Sequence, residues 1–186
     1  RRQRQMCIRD RFRVEGKKTL GYEIAEQLGW RLPDVIVYET GGGTGLIGMW
    51  KAFNELKLLG KVSGKLPRMV AAQSTGCAPV VKAFQRRENK TEFWENSQTV
   101  ALGLNVPGPI GGYWILRILY ESNGIAVDVP ESDLQNLTDE FNSITRINAG
   151  PEAGVVWGAF QKLRNVGWID NSQSVVLFAT GIERCK

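Results

Sequence analysis

Histidine is absent from the 186 residues. That absence excludes Ser/His/Asp and Cys/His triads and every histidine-ligated metal centre, so any chemistry rests on lysine, carboxylates, hydroxyls or a cofactor, and no metal is expected. Cysteine is scarce. Cys7, Cys77 and Cys185 are odd in number, far apart and without a CxxC pair, which speaks against a disulfide framework or a zinc site and fits a reducing cytoplasm. No run of about 18 apolar residues occurs, and the start lacks the basic-then-apolar order of a secretory signal. A soluble protein with no membrane partner is the expectation.

Net charge is +5, which by itself would point to a polyanion, but the excess sits at one end. Arg1, Arg2, Arg4, Arg9, Arg11 and Arg13 against Asp10 account for it, and from Val14 onward 18 basic residues balance 18 acidic ones. No basic face is needed, so nucleic-acid binding is not expected. The opening RRQRQMCIRDR carries no apolar period, cap or turn signal. It reads as a non-native extension, translated adapter DNA, and residues 1–11 are expected to lie outside the fold.

What is present is enough for one domain with a sizeable core. Helical patterns alternate with short β-rich runs, the sign of an α/β domain with a mostly parallel sheet. Strands are predicted over Val35–Glu39, Arg68–Gln73, Ile125–Val129 and Ser174–Ala179. Helices are predicted over Thr19–Leu28, Leu46–Leu59, Pro79–Arg86, Tyr113–Glu121, Glu131–Ile144 and Glu152–Val166. Pro151 followed by Glu152 suits a first helical turn, because proline needs no donor there and the carboxylate meets the positive helix end. The stretch NVPGPIGG, Asn105–Gly112, breaks both helix and strand and reads as a surface loop near a ligand.

The most informative stretch is VIVYETGGGTGLIGMWKAF, in which an apolar strand runs into Gly41, Gly42, Gly43, Thr44 and Gly45 and then into an amphipathic helix. That is an anion cradle: glycines let successive backbone N–H groups converge, and the helix adds its N-terminal partial charge. A phosphate is the natural guest. A merely tight turn would need one or two glycines, not four of five positions. Gly43, Gly45 and Gly48 also match GxGxxG, but the dinucleotide reading wants an acidic residue after the next strand. Gln73, Ser74 and Thr75 stand there instead. The triphosphate loop needs Lys-Ser or Lys-Thr after its last glycine, and Leu46 and Ile47 occupy those positions.

The stretches EGKKTLGYEIAEQLGWRLPDVIVYETGGGTGLIGMWKAF and PRMVAAQSTGCAP, with later echoes at Pro151-Glu152, GWID and VVLFATG, resemble threonine synthase and its relatives among pyridoxal-phosphate enzymes of the tryptophan-synthase-β fold. Cysteate synthase and amino-acid dehydratases or ammonia-lyases are near neighbours in that group. The resemblance runs from about Phe12 to Gly181. It implies a three-layer open sheet with helices on both faces, the large cofactor domain in incomplete form, with residues 12–186 as its C-terminal part. It also implies that pyridoxal 5'-phosphate is the cofactor, that Gly41 to Gly45 hold its phosphate through backbone N–H groups, and that Thr180 meets its pyridine nitrogen.

In such an enzyme a lysine forms the Schiff base, O-phosphohomoserine loses phosphate by γ-elimination and water adds at Cβ to give threonine. The partner is thus a small phosphorylated amino acid, with a homodimer as one arrangement of the intact enzyme. The resemblance puts the lysine upstream of this chain, so no catalytic residue is assigned here. Lys17 and Lys18 read as an exposed pair at a helix start. The isolated chain is expected to be inactive and, with sheet edges and apolar faces uncovered, to express insolubly.

Some residues depart from the pattern. Glu39 stands where relatives have proline, bringing a carboxylate close to a phosphate site, where it repels the cofactor if its side chain points inward. Thr180-Gly181-Ile182-Glu183 replaces a small-residue run, and Pro151-Glu152-Ala153-Gly154 permutes Pro-Glu-Gly-Ala. Taken alone, Thr180 is an ordinary strand-end threonine. Ser74, Thr75 and Cys77 follow a strand, where facing the substrate and forming a turn and helix cap are two readings of about equal weight, and Trp50, Trp114 and Trp157 sit in helix patterns where core packing is the usual role.

Overall fold

In a computed structural model, the backbone of residues 2–182 is described, with side chains from residue 11 onward. Four parallel strands form one sheet: β1 (Val35–Glu39), β2 (Arg68–Ser74), β3 (Ile125–Val129) and β4 (Val175–Leu177), in the spatial order β3-β2-β1-β4. Their near-continuous apolar sequences follow from burial on both faces. Alternation sends Ile36, Met69, Ala71 and Ala126 to one face and Val35, Val37, Val70, Ala72, Val127 and Val129 to the other.

Helices cover both faces. Against the first pack α2 (Thr44–Leu58), α3 (Pro79–Gln85) and α4 (Gly112–Glu121), which contribute Leu46, Met49, Phe53, Val80, Ile115, Leu116 and Leu119. Each large side chain fully buried here contributes about 1.5–3 kcal/mol of transfer free energy. Against the second face lies α6 (Pro151–Asn165), with Val155, Val156, Ala159 and Leu163, joined by Leu134 of α5 (Leu134–Thr145). Sheet and helix layers make the three-layer α/β architecture that the sequence implied.

The connections fix where a ligand can sit. The chain runs outward from β1 to β2 to β3 and then crosses back through α5 and α6 to place β4 on the other side of β1. Strand order therefore reverses between β1 and β4, and a crevice opens outside their carboxyl ends, where open α/β sheets bind ligands.

Several predicted boundaries move. The helix predicted over Thr19–Leu28 is α1, Arg2–Gln27, and Lys17 and Lys18 lie in its interior rather than at its start. Its later turns pack Leu20, Ile24 and Ala25 against the core, whereas the sequence before Val14 has no apolar period, which is why periodicity missed its first half. Close approach and charge add to that packing: a Cβ at Gly21 would meet Ala52 Cβ at 2.8 Å, and one at Gly48 would meet the Lys17 backbone at 2.8 Å. Lys18 pairs with Glu15 at 2.8 Å and with Glu55 at 3.0 Å, and Lys51 pairs with Glu15. The helix predicted over Glu131–Ile144 divides into one 3-10 turn, Glu131–Asp133, and α5. Glu131 is drawn out of helical register because its carboxylate accepts from Ser74 Oγ and from the Val100 N–H, while its own N–H donates to Thr75 Oγ1 at 2.9 Å. The last strand is shorter than predicted at both ends. Ser174 is tied to the Asp34 carboxylate, and beyond Phe178 the chain leaves the sheet.

Candidate active site

The crevice at the reversal between β1 and β4 is a cleft of about 1470 Å³. Its floor comes from the carboxyl end of β1 and the loop into α2, namely Glu39, Gly41, Gly42, Gly43 and Thr44, with Thr180 and Gly181 beside them. One wall is α4 with the loop before it, including Ile110, Gly111 and Trp114; Arg11, Arg13 and Lys17 of α1 stand on another. The loop read from sequence as lying near a ligand, Asn105–Gly112, does line the cleft through Val106, Gly108, Ile110 and Gly111.

Thr40 anchors the glycine loop. Its N–H donates to Ala72 O at 2.8 Å, its hydroxyl to Tyr38 O at 2.9 Å, and its own carbonyl accepts from Gln73 Nε2 at 2.9 Å. Buried Gln73 also accepts from the N–H groups of Val80 and Val81, at 2.9 and 3.2 Å, so one amide locks the loop to the start of α3. Gly43 is the N-cap of α2 in the left-handed conformation, φ 81°, with no side-chain cap. The first-turn N–H groups that follow have no intrahelical acceptor and carry the positive end of the helix dipole.

The glycines of this loop have different reasons to be glycine. A Cβ at Gly41 would meet Gly103 O at 2.9 Å and Val106 Cγ2 at 3.0 Å, one at Gly43 would overlap Ile115, and one at Gly45 would overlap the Tyr38 hydroxyl. The protein's own packing demands these three. At Gly42 an added Cβ meets nothing within 4 Å. Only there does the missing side chain leave open cleft.

Glu39 is the charged residue of the floor. Strand alternation puts it on the same face as Val35 and Val37, and it is 4% exposed. The side chain therefore points inward, the unfavourable case for an anionic ligand nearby. Its Oε1 accepts from the Thr180 hydroxyl, and its Oε2 is buried without a partner. Burial pushes its pKa up to about 7, opposed by the Thr180 hydrogen bond; Glu152 adds to the rise and Lys17 opposes it. At neutral pH the group is poised between charged and neutral forms.

Each site residue read from the sequence borders this one cleft or packs its loop: Gly41, Gly42, Gly43, Thr44 and Thr180 line it, and Gly45 sits behind on Tyr38. Glu152 does more than cap. It lies in the first turn of α6, accepts from the Gly103 N–H at 2.8 Å and lines the cleft. Only its proline-led helix start was visible in sequence. Trp114, predicted as core, is 51% exposed on the cleft wall, because its position on α4 falls off the stripe formed by Ile115, Leu116 and Leu119. Trp50 is half-buried against the first core and Trp157 packs on Phe141 and Phe160, as predicted. Ser74 and Thr75 are engaged with Glu131, and Cys77 is buried. Among the described residues no His/Cys/Asp/Glu group could hold a metal ion, and no helix is long and apolar enough to cross a membrane.

Comparison with known proteins gives a consistent picture. Residues 6–181 match the family described as "Pyridoxal-phosphate dependent enzyme". The chain is similar to the threonine synthase of Methanosarcina acetivorans, with 31% identity over 91% of this chain and 42% of that one. Against the threonine synthase of Methanocaldococcus jannaschii the identity is 29%, with the same coverage of 91% and 42%. The chain thus spans about two fifths of the length of these curated relatives. Among solved structures, a fungal L-serine ammonia-lyase from Rhizomucor miehei superposes with a TM-score of 0.74 at 18% identity, over 91% of this chain and 52% of that one. At that identity the likeness is one of fold.

Proposed function

We infer, from a chain that belongs to the pyridoxal-phosphate dependent enzyme family, that it forms the cofactor-binding floor of a threonine-synthase-like lyase. The whole enzyme would convert O-phosphohomoserine and water to threonine and phosphate, a step of amino-acid biosynthesis. The observation that carries this reading is the glycine loop at the strand-order reversal, with the uncapped N-terminus of α2 opening into the cleft. The narrower choice of reaction draws support from the threonine synthases at 29–31% identity over 91% of this chain.

The residues present fit pyridoxal phosphate. Its phosphate matches the first-turn N–H groups of α2, the Thr44 hydroxyl and the open space at Gly42. Its flat ring matches the apolar walls offered by Ile47, Ile110 and Trp114. When bound, the cofactor supplies an electron sink for a carbanion at the substrate's Cα. The chain's part is to orient that sink: Gly42 to Thr44 fix one end, Thr180 with Glu39 meets the other, and α4 shields one side from water. Lys51 is engaged by Glu15, and Lys18 by Glu15 and Glu55. The reading takes the Schiff-base lysine from outside residues 12–186.

Titration of the chain with pyridoxal 5'-phosphate, followed by absorbance, tests the proposal. Saturable binding that inorganic phosphate competes away and Gly42→Asp weakens supports it. Tighter binding of a nicotinamide dinucleotide, or no effect of phosphate, sinks it.

A further inference from the structure

Glu39 is a buried carboxyl group in a site whose guest is proposed to be a phosphate ester, and burying it unpaired is costly. The floor holds it nonetheless, 4% exposed, with Oε1 bonded by Thr180 and Oε2 without a partner. Charged and titratable groups face it from three directions: Lys17 from α1, Glu152 from α6 and the neighbouring Tyr38 of β1. None of them donates a hydrogen bond to Glu39 among the bonds described.

The chemistry of this pair selects what it can receive. Pyridoxal phosphate offers three polar handles, namely a phosphate, a ring oxygen that is anionic when ionised, and a basic ring nitrogen. A carboxylate rejects the first two by charge. Only the nitrogen, carrying a proton, can present a cation. Thr180 has a single hydroxyl proton. While that proton is committed to an ionised Glu39, the oxygen turns only lone pairs toward the cleft, and a hydrogen bond to it must come from a donor.

Resting on the cofactor reading above, we propose that Glu39, acting through the Thr180 hydroxyl, holds the cofactor's ring nitrogen in its protonated form. Glu39 is then a positioning residue, and the Glu39–Thr180 pair is a proton relay. Protons balance along it. In the neutral arrangement the Glu39 carboxyl donates to Thr180 Oγ and Thr180 donates to the bare nitrogen. Moving one proton from Glu39 to Thr180 Oγ and one from Oγ to the nitrogen gives carboxylate, hydroxyl and pyridinium with no change in total charge. The proximity of Glu39 to neutrality, with its pKa raised to about 7, makes both arrangements accessible, and the attraction between carboxylate and pyridinium favours the second. A lone threonine would leave the nitrogen neutral; the carboxylate behind it reverses that outcome and strengthens the ring as an electron sink.

The test uses pyridoxamine 5'-phosphate labelled with 15N at the ring nitrogen, a probe that has no aldehyde to react with surface lysines. Its nitrogen shift is followed against pH at saturation in the wild-type chain, Glu39→Gln and Thr180→Val. The expected result is that either substitution lowers the apparent pKa of the ring nitrogen by at least about one unit, the size of an opposite-charge effect at short range. An unchanged nitrogen titration in both bound variants overturns the relay. If the wild-type chain binds inorganic phosphate but not pyridoxamine 5'-phosphate, the floor does not accept the ring and the relay is overturned while the phosphate cradle stands. If it binds neither, the cofactor reading fails and takes the relay with it.

Discussion

Replacing Gly42 by alanine separates the cleft's ligand from the fold. The added methyl meets no protein atom within 4 Å, and Gly42 is not among the residues with positive φ, so alanine fits the native backbone. By restricting the unfolded chain it should leave stability unchanged or raise it by about 0.4–1 kcal/mol. On the proposed reading, the same methyl stands in the open space beside the first turn of α2 that the phosphate would take. Losing one charge-assisted hydrogen bond there costs about 1.5–3 kcal/mol, which weakens binding roughly 10- to 100-fold. The assay pairs thermal melting with calorimetric titration by pyridoxamine 5'-phosphate. The expected result is an unchanged or slightly higher melting temperature with affinity reduced by at least about tenfold. Wild-type affinity would refute the location of the phosphate, and a melting temperature lower by more than about 5 °C would refute the open space at Gly42.

Three further outcomes follow from the geometry. Gly45→Ala drives a methyl into the Tyr38 hydroxyl and should cost about 1–3 kcal/mol in urea unfolding, the reverse of the Gly42 result. Glu39 has its carboxyl pKa raised from 4.5 to about 7 in the folded chain, so the native state binds this proton more tightly than the unfolded state. Stability attributable to it is fully present below pH 4.5 and lost as pH rises through 7, by about 3 kcal/mol; urea midpoints should fall between pH 5 and 8, and Glu39→Gln should flatten that fall. Borohydride reduction of the chain with pyridoxal phosphate, followed by peptide mapping, should leave no stoichiometric label on any lysine, and a specific label at Lys17, which lines the cleft, would refute the external origin of the Schiff-base lysine.

Arg68, at the start of β2, shows how legibility in the sequence runs out. Its strand was evident from the apolar run after it, yet its side chain stacks 3.8 Å from the Trp168 ring centroid and donates to Trp168 O and Gln173 Oε1 at 3.1 and 2.8 Å. That clamp joins residues 100 or more positions apart, and no local pattern records it. The first helix is a second case. The sequence of its first half has no apolar period, and a period is what a sequence reading detects; the ion pairs of Glu15 and Lys18 and the close approach at Gly21 come only with the fold.

By itself, the sequence determined what short-range physics dictates. Apolar runs without alternation required strands buried on both faces, Pro151-Glu152 required a helix start, and four glycines about Thr44 required a turn with converging N–H groups. It did not determine which glycines the packing demands and which it leaves free, because Gly41, Gly43 and Gly45 are constrained by Val106, Ile115 and Tyr38 while Gly42 faces open space. Nor did it determine the meeting of Glu39 with Thr180 across 141 positions. That contact exists because the strand order reverses between β1 and β4, and strand order is set by how two helix layers pack on one sheet, a property of the whole chain that no local stretch encodes.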